Sequence, residues 1–82
     1  MPRYYFDVHN GDGLIRDEHG LELSSRARIM TETSRILFDI ARDEFPGRDR
    51  GDISITVRDE GDRNICMTHL TFQTEWLIGP EK

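Results

Sequence analysis

The sequence predicts a two-layer α+β domain of ββαββ order, with a four-stranded antiparallel sheet and one amphipathic helix on one face of that sheet. Three observations predict this class. Residues 26–45 have apolar side chains at helical spacing, the segments on both sides alternate apolar and polar residues, and turn sequences rich in Gly and Asn separate those segments. The strand order 2-1-3-4 makes every neighbouring pair antiparallel and allows a right-handed crossover.

Two short strands and an extended segment are predicted before the helix. The apolar residues of the first strand, residues 3–9, share one side: Tyr4, Phe6 and Val8. Asn10 and the glycines that follow it favour a tight hairpin, because these residues tolerate positive φ angles. Residues 14–17 form the predicted second strand, and residues 21–23 lead in an extended conformation to the helix.

The helix prediction rests on a wide apolar stripe centred on Leu37. The apolar side chains share one half of the helical wheel: Met30, Ile40 and Ala41 near the centre line, and Ala27, Ile29, Ile36, Phe38 and Phe45 on the flanks. A stripe of this width is typical of a helix that lies across a sheet. Ser24 or Ser25 can cap the first turn, and Pro46 cannot continue the helix.

Two longer strands are predicted after the helix, in residues 52–59 and 65–75. Their core-facing residues are predicted to be Ile53, Ile55 and Val57 in the first of the two, and Cys66, Leu70, Phe72 and Trp76 in the second. Ile65 and Met67 have the opposite parity. Either a bulge shifts the register near Thr68, or these two residues cover part of the outer face.

Length and cysteine content limit the domain count and the cellular setting. The chain of 82 residues fits one domain, predicted at residues 1–78, followed by a disordered tail at 79–82. Cys66 is the only cysteine, so no disulfide can form within the chain, and a reducing, cytoplasmic setting is expected. The sequence has no long apolar run and no signal peptide, so no membrane association is expected.

The charge balance narrows the expected partners. The net charge of −5 argues against nucleic-acid binding, which depends on neutralising phosphates with clustered basic residues. A domain of this size buries only roughly 60–65% of its unfolded surface, so self-association would add stability. The expected partner is therefore a second copy of the chain or a small protein.

Patterns for catalysis, metals or cofactors are weak. Asp7 and the Asn-Gly turn resemble part of a calcium loop, but the required alternation of oxygen ligands fails, and a tight hairpin needs the same residues. No catalytic residue, metal ligand or cofactor is therefore assigned. One alternative stays open: His9, His69, Tyr5 and Arg58 are predicted on the helix-free sheet face and could form a small metal or catalytic site.

The sheet face opposite the helix, here called the outer face, is the best candidate for function, because a single helix covers only one face. Its candidate interaction residues are Tyr5, His9, Ile15, Arg58, Met67 and His69. Exposed apolar groups in such a set are typical of a partner site. An antiparallel sheet can also face water without a partner, so a merely solvated face is the alternative.

Four short motifs together carry a family resemblance: MPRYYF at residues 1–6, GDG at 11–13, DExGxEL at 17–23 and VRDEG at 57–61. The chain resembles a family of small uncharacterised bacterial domains that is abundant in rhizobia and other alphaproteobacteria. The resemblance covers nearly the whole chain and implies a bacterial cytosolic domain, with no assigned activity or site residues. The layout is also loosely similar to antitoxin domains of the HicB type, in which a hairpin precedes a helix on a sheet.

Three functional hypotheses follow from these patterns. The leading one is a non-enzymatic interaction module that self-associates through the outer face or an edge strand. The alternative is an antitoxin-like or regulatory protein that binds a toxin or a nucleic acid. The third is a small metal-binding protein or enzyme.

Overall fold

A computed structural model describes residues 1–11 and 13–80 of the chain. The elements, in order, are β1 (Arg3–Asn10), β2 (Gly13–Ile15), β3 (Leu21–Glu22), α1 (Arg26–Glu44), β4 (Arg50–Arg58) and β5 (Asn64–Gln73). One helix on an antiparallel sheet confirms the α+β class. Asp12 in the predicted turn and residues 81–82 of the predicted tail lie outside the described residues. Within them, no helix is long and apolar enough to span a membrane.

The sheet follows the path β2-β1-β4-β5, and every pairing along it is antiparallel. The two-residue strand β3 also pairs with β1, a pairing that the sequence patterns did not predict. β2 and β3 share one edge of β1, where β2 pairs with residues 8–10 and β3 with residues 3–4. β5 forms the opposite edge of the sheet.

The core lies between α1 and the two central strands. Its buried apolar side chains are Phe6 and Val8 from β1, Ile53, Ile55 and Val57 from β4, and Ile29 and Leu37 from α1. Alternation explains the strand residues, because every second side chain of a strand points to the helix. Thr33 is also buried in α1, and its hydroxyl donates to the Ile29 carbonyl at 2.8 Å, so it brings no unsatisfied polar atom into the core.

The ends of α1 confirm the cap predictions. The Ser25 hydroxyl accepts a hydrogen bond from the Arg28 amide at 3.2 Å, and this bond satisfies one of the free donors in the first turn. The helix ends at Glu44, directly before Phe45 and Pro46. Gly47 then takes a positive φ of 83°, which turns the chain toward β4.

The helix does not cover β5, and several burial predictions are wrong. Of the residues predicted on the apolar stripe of the helix, Met30 is 69% and Phe38 57% exposed. Of those predicted to face the core in the last strand, Cys66 is exposed, Phe72 is 40% exposed and Trp76 is 73% exposed. A helix is about 10 Å across, whereas four strands spaced about 4.8 Å apart put the outermost strands roughly 14 Å from each other. Centred over β1 and β4, α1 therefore leaves the helix side of β5 open to solvent.

The pairing of β5 with β4 accounts for Ile65 and Met67, which have the opposite parity to Cys66, Leu70 and Phe72. Cys66 lies opposite Val57, but Asn64 lies opposite Arg58, so Ile65 has no partner and forms a bulge. The bulge thus lies at Ile65, three residues before the predicted position. Met67 pairs with Thr56 on the outer face, and the strand ends at Gln73, short of the predicted end at residue 75.

We predict that Gly20→Ala destabilises the fold more than Gly47→Ala. Both glycines have a positive φ, 67° and 83°, which costs an alanine about 1 kcal/mol. A Cβ on Gly20 would also lie 2.7 Å from the Tyr4 carbonyl oxygen, whereas Gly47 faces open space. We expect losses of roughly 2–4 kcal/mol for Gly20→Ala, measured by urea unfolding. Equal losses in the two variants would contradict the steric argument.

Candidate functional site

The structure brings five of the six predicted interaction residues to the outer face. Tyr5 lies opposite Arg58, and Met67 lies opposite Thr56, one strand further along the sheet. His9 and His69 lie on either side of Ser54, so one strand separates the two histidines. Residues directly opposite each other in a ladder share a face, and all five side chains therefore point away from α1.

The sixth residue, Ile15, lies on the helix side of the sheet, so its assignment to the outer face was wrong. It pairs with Val8, a core residue, so its side chain points to the helix side of the sheet. There it is 63% exposed and lines an open groove between residues 16–21 and α1. The outer position in β2 belongs to Leu14, which pairs with His9. A shift of one residue in a hairpin register exchanges the two faces in this way.

The centre of the outer face is a buried ion pair between Asp7 and Arg58. Arg58 was predicted to be a candidate interaction residue on the outer face, yet it is only 6% exposed, as is Asp7. The Arg58 Nε donates to Asp7 Oδ2 at 2.7 Å and its Nη2 donates to Asp7 Oδ1 at 3.2 Å, which is the bidentate geometry that suits a guanidinium and a carboxylate. The Tyr5 ring centroid lies 4.7 Å from the guanidinium carbon and shields the pair from water.

Every nitrogen of the Arg58 guanidinium donates to a protein acceptor. Nη2 also donates to the Asp17 carbonyl at 2.7 Å, and Nη1 donates to Asp62 Oδ1 at 2.9 Å. Asp62 lies in the β4–β5 turn with a positive φ of 64° and also accepts from Arg16 at 3.0 Å. A guanidinium bound on all sides is a structural element. It is not free to bind a ligand.

Asp17 connects this ion pair to the edge of the sheet. Phe6 lies in β1 between the residues that pair with β2 and those that pair with β3, so neither strand accepts a hydrogen bond from its amide. The Phe6 amide donates to the Asp17 carboxylate at 3.1 Å instead. The same carboxylate accepts from the amides of His19 and Gly20, and the Asp17 amide donates to Asp7 at 2.9 Å. One side chain thus replaces the missing ladder bond and holds the loop of residues 16–20 against β1.

The electrostatics keep these groups charged at neutral pH. Burial by itself raises the pKa of Asp7, but the hydrogen bonds from Arg58 and the Asp17 amide outweigh it, and the pKa lies below its ordinary value of 3.8. Burial likewise raises the pKa of Asp17, and three backbone amides outweigh it, so this pKa is also lowered. The bond to Asp7 raises the pKa of Arg58. Neither carboxylate can act as a general acid near pH 7.

The two outer-face histidines do not converge on a metal site. With one strand between them, their Cα atoms lie about 10 Å apart, at twice the spacing of neighbouring strands. Across residues 1–11 and 13–80, no group of three His, Cys, Asp or Glu side chains could hold a metal ion. His9 and His69 remain exposed side chains on either side of Ser54.

Further exposed apolar residues lie on the other side of the sheet. They belong to α1 and β5: Met30, Phe38, Ile65 and Phe72. Sequence reasoning missed them because it assumed that the helix covers all four strands. A usable signal was present, since residues 65–73 contain no charged side chain although 33% of the chain is charged.

Removing the carboxylate of Asp7 should destabilise the fold far more than removing a carboxylate from a surface ion pair. Asp7→Ala leaves the Arg58 charge buried without its bidentate partner, whereas Asp39→Ala removes a partner from the exposed Arg35. The Asp7 pair lies on the sheet face that no helix covers, so we expect a loss of roughly 2–3 kcal/mol in the free energy of unfolding, below the range for deeply buried pairs. The Asp39 variant should lose about 0.5 kcal/mol or less. Urea unfolding, monitored by circular dichroism, would measure the free energy of unfolding of both variants. Similar losses in the two variants would contradict the prediction, because they would show that water screens Asp7 and Asp39 equally.

The lowered pKa values predict a loss of stability in acid. Because the folded state lowers the pKa of Asp7 below its unfolded value of about 3.9, its contribution is complete above that pH and is lost as the pH falls through the folded pKa. The melting temperature should therefore fall below about pH 4, and Asp7→Asn should flatten this part of the curve. A wild-type slope in Asp7→Asn would mean that other groups cause the loss.

The comparisons with known proteins yield one match. Residues 3–71 match a family called DUF6894, whose description is a domain of unknown function. No curated protein and no solved structure matches the chain. The matched residues cover all six elements except the last two residues of β5, and they include Asp7, Asp17 and Arg58. Since the match covers most of its length, the chain belongs to the DUF6894 family of domains of unknown function.

Proposed function

We propose that the chain is a non-enzymatic protein-interaction module that forms a homodimer through the free edge of β5. The composition of this strand is the observation that carries the proposal. Residues 65–73 contain no Asp, Glu, Lys, Arg or Pro. Edge strands of monomeric proteins usually carry such residues, because a bare row of backbone N–H and C=O groups otherwise pairs with another chain.

The opposite edge of the sheet offers no comparably long strand for pairing with another chain. It consists of two short strands, β2 with three residues and β3 with two, separated by the loop that Asp17 holds against β1. Short, interrupted edges offer few consecutive backbone groups for pairing. β5 has ten residues and pairs with β4 in unbroken register from Cys66 to Gln73, so it is the one long edge in the described part of the chain.

The side chains of β5 also favour association. Met67 is 54% exposed on the outer face, and Ile65 and Phe72 are 38% and 40% exposed. Antiparallel pairing of two β5 strands about a two-fold axis would satisfy their free backbone groups and remove part of this apolar surface from water. This is strand addition at a sheet edge, with the second copy of the chain as the added strand.

The outer face supports a binding role less well than this edge. Its central residues Asp7, Thr56 and Arg58 are buried, and the groups of Arg58 are already engaged within the chain. The exposed residues that remain there, His9, Met67 and His69, surround the buried cluster. An interface at β5 would include Met67 and His69 at its margin.

A charged side chain in the middle of β5 should weaken the dimer. In a two-fold antiparallel pairing, two copies of residue 68 lie close together, so Thr68→Lys places like charges side by side. We expect a dimer dissociation constant at least about tenfold higher, measured by analytical ultracentrifugation across micromolar concentrations. Thr31→Lys introduces the same side chain at an exposed position of α1, and should not change the constant.

Hydrogen exchange gives a second readout of the same pairing. Amides on the free edge of β5 exchange quickly in a monomer and become protected when another strand pairs with them. Their protection should therefore increase with protein concentration, whereas protection in β4 should not. A wild-type chain that sediments as a monomer at high micromolar concentration overturns the proposed function.

A further inference from the structure

Beyond β5 lies a segment whose apolar side chains have no cover. We call residues 74–80 the C-terminal segment. It has no helix or strand, and its large apolar residues are almost fully exposed: Trp76 at 73%, Leu77 at 88% and Ile78 at 80%. Its first residue is anchored, because the Thr74 amide donates to the Asp49 carbonyl. Three adjacent exposed apolar residues form a surface that monomeric soluble proteins rarely leave uncovered.

The helix side of the sheet offers a matching cavity at the start of β5. This groove has a volume of about 420 Å³, which lies in the range of small-molecule and side-chain binding sites. Its apolar wall is formed by Tyr4, Ile29, Met30, Ile65 and Cys66. The groove exists because α1 leaves β5 uncovered, and its rim residue Met30 is 69% exposed.

The C-terminal segment cannot reach this groove in its own chain. The segment leaves β5 after Gln73, whereas the groove lies beside Cys66 at the other end of the strand. Seven residue steps along the strand span about 23 Å. Trp76 is only three residues beyond Gln73, which allows a reach of about 10 Å. The occupant must therefore come from another molecule.

Antiparallel pairing of two β5 strands supplies that molecule. In such a pair, the end of one strand lies beside the beginning of the other. The C-terminal segment of each copy then starts next to Ile65 and Cys66 of its partner, where the groove opens. We infer that Trp76 of one copy binds in the groove between α1 and β5 of the other, and that the contact is reciprocal. This inference rests on the proposed β5 dimer.

Charge complementarity supports this docking. Glu75 lies next to Trp76, and three charged residues line the groove: Arg26, Arg63 and Asp59. Asp59 already pairs with Arg63 at 3.1 Å, so Arg26 is the cation that a docked carboxylate could reach. Arg26 takes part in none of the ion pairs formed among residues 1–11 and 13–80. A docked segment would bring Glu75 to this rim and give Arg26 a carboxylate partner.

Trp76 is the only tryptophan of the chain, so tryptophan fluorescence reports on the surroundings of this one residue. In the dimer, its emission should shift to the blue and its quenching by acrylamide should decrease, both in step with dimer formation measured by sedimentation. Met30→Glu places a charge in the groove and should abolish the shift, while Phe38→Glu, also exposed but outside the groove, should retain it. Trp76→Ala should raise the dimer dissociation constant about tenfold or more.

A mixing experiment shows whether the contact forms between copies. Met30→Glu retains Trp76 but has a blocked groove, and Trp76→Phe retains the groove but has no fluorophore. In a mixed dimer, Trp76 of the first variant can enter the intact groove of the second, so mixing should restore the blue shift. Failure to restore it overturns the inference.

The same measurements separate the two proposals. A wild-type chain that dimerises while Trp76 stays fully accessible to acrylamide overturns the docking of the segment and leaves the β5 dimer in place. A chain that never dimerises overturns the β5 interface itself. Truncation after Gln73 should retain a weaker dimer whose β5 amides are still protected, since strand pairing does not need the segment.

Discussion

A helix about 10 Å across lies on a sheet whose outermost strands are about 14 Å apart, and the exposed surfaces of the molecule follow from this mismatch. The helix covers β1 and β4, which supply the buried strand residues of the core. Phe6 is buried in this core and Tyr4 packs against it, while Ile53 and Ile55 are almost completely buried. β5 pairs with β4 through its backbone; its Leu70 packs against the core, and its other side chains are exposed on both faces. A long strand with one satisfied edge and two uncovered faces is suited to binding.

The other face of the sheet is stabilised by polar contacts. Asp7, Arg58 and Asp17 join β1, β4 and the loop of residues 16–20 in one hydrogen-bonded cluster. The described residues contain no buried side-chain nitrogen or oxygen without a partner, so the cluster carries no desolvated group unpaired. Its partners come from separate parts of the chain, and it therefore fixes the position of the loop as well as the pairing of the strands. The cluster thus stabilises the structure, and its carboxylates stay ionised at neutral pH.

Local patterns in the sequence predicted the features that depend on local physics. Alternation gave Ile53, Ile55 and Val57 as core residues, and the serine and proline at its ends gave the limits of the helix. Alternation reports which side a residue faces, but not whether another element reaches that side. Cys66 and Trp76 were therefore expected in the core, and both are exposed.

Features that depend on register or on distant residues could not be predicted in this way. Ile15 was assigned to the wrong face because a hairpin sequence does not reveal which residues lie opposite each other. The burial of Arg58 was missed because two of its three acceptor residues, Asp7 and Asp17, lie 51 and 41 residues earlier in the chain. Only the tertiary structure brings these groups within hydrogen-bonding distance.

The unequal edges of the sheet also limit how far an assembly can grow. A two-fold contact between β5 strands is isologous, so it consumes the same edge on both copies. The outer margins of the resulting sheet are then two copies of the edge formed by β2 and β3, where the Asp17 carboxylate already binds the Phe6 amide. Such margins offer no continuous template for a third chain. A strand that resembles an aggregation-prone segment in its composition would thus end in a closed pair, and fibre growth by edge addition would stop there.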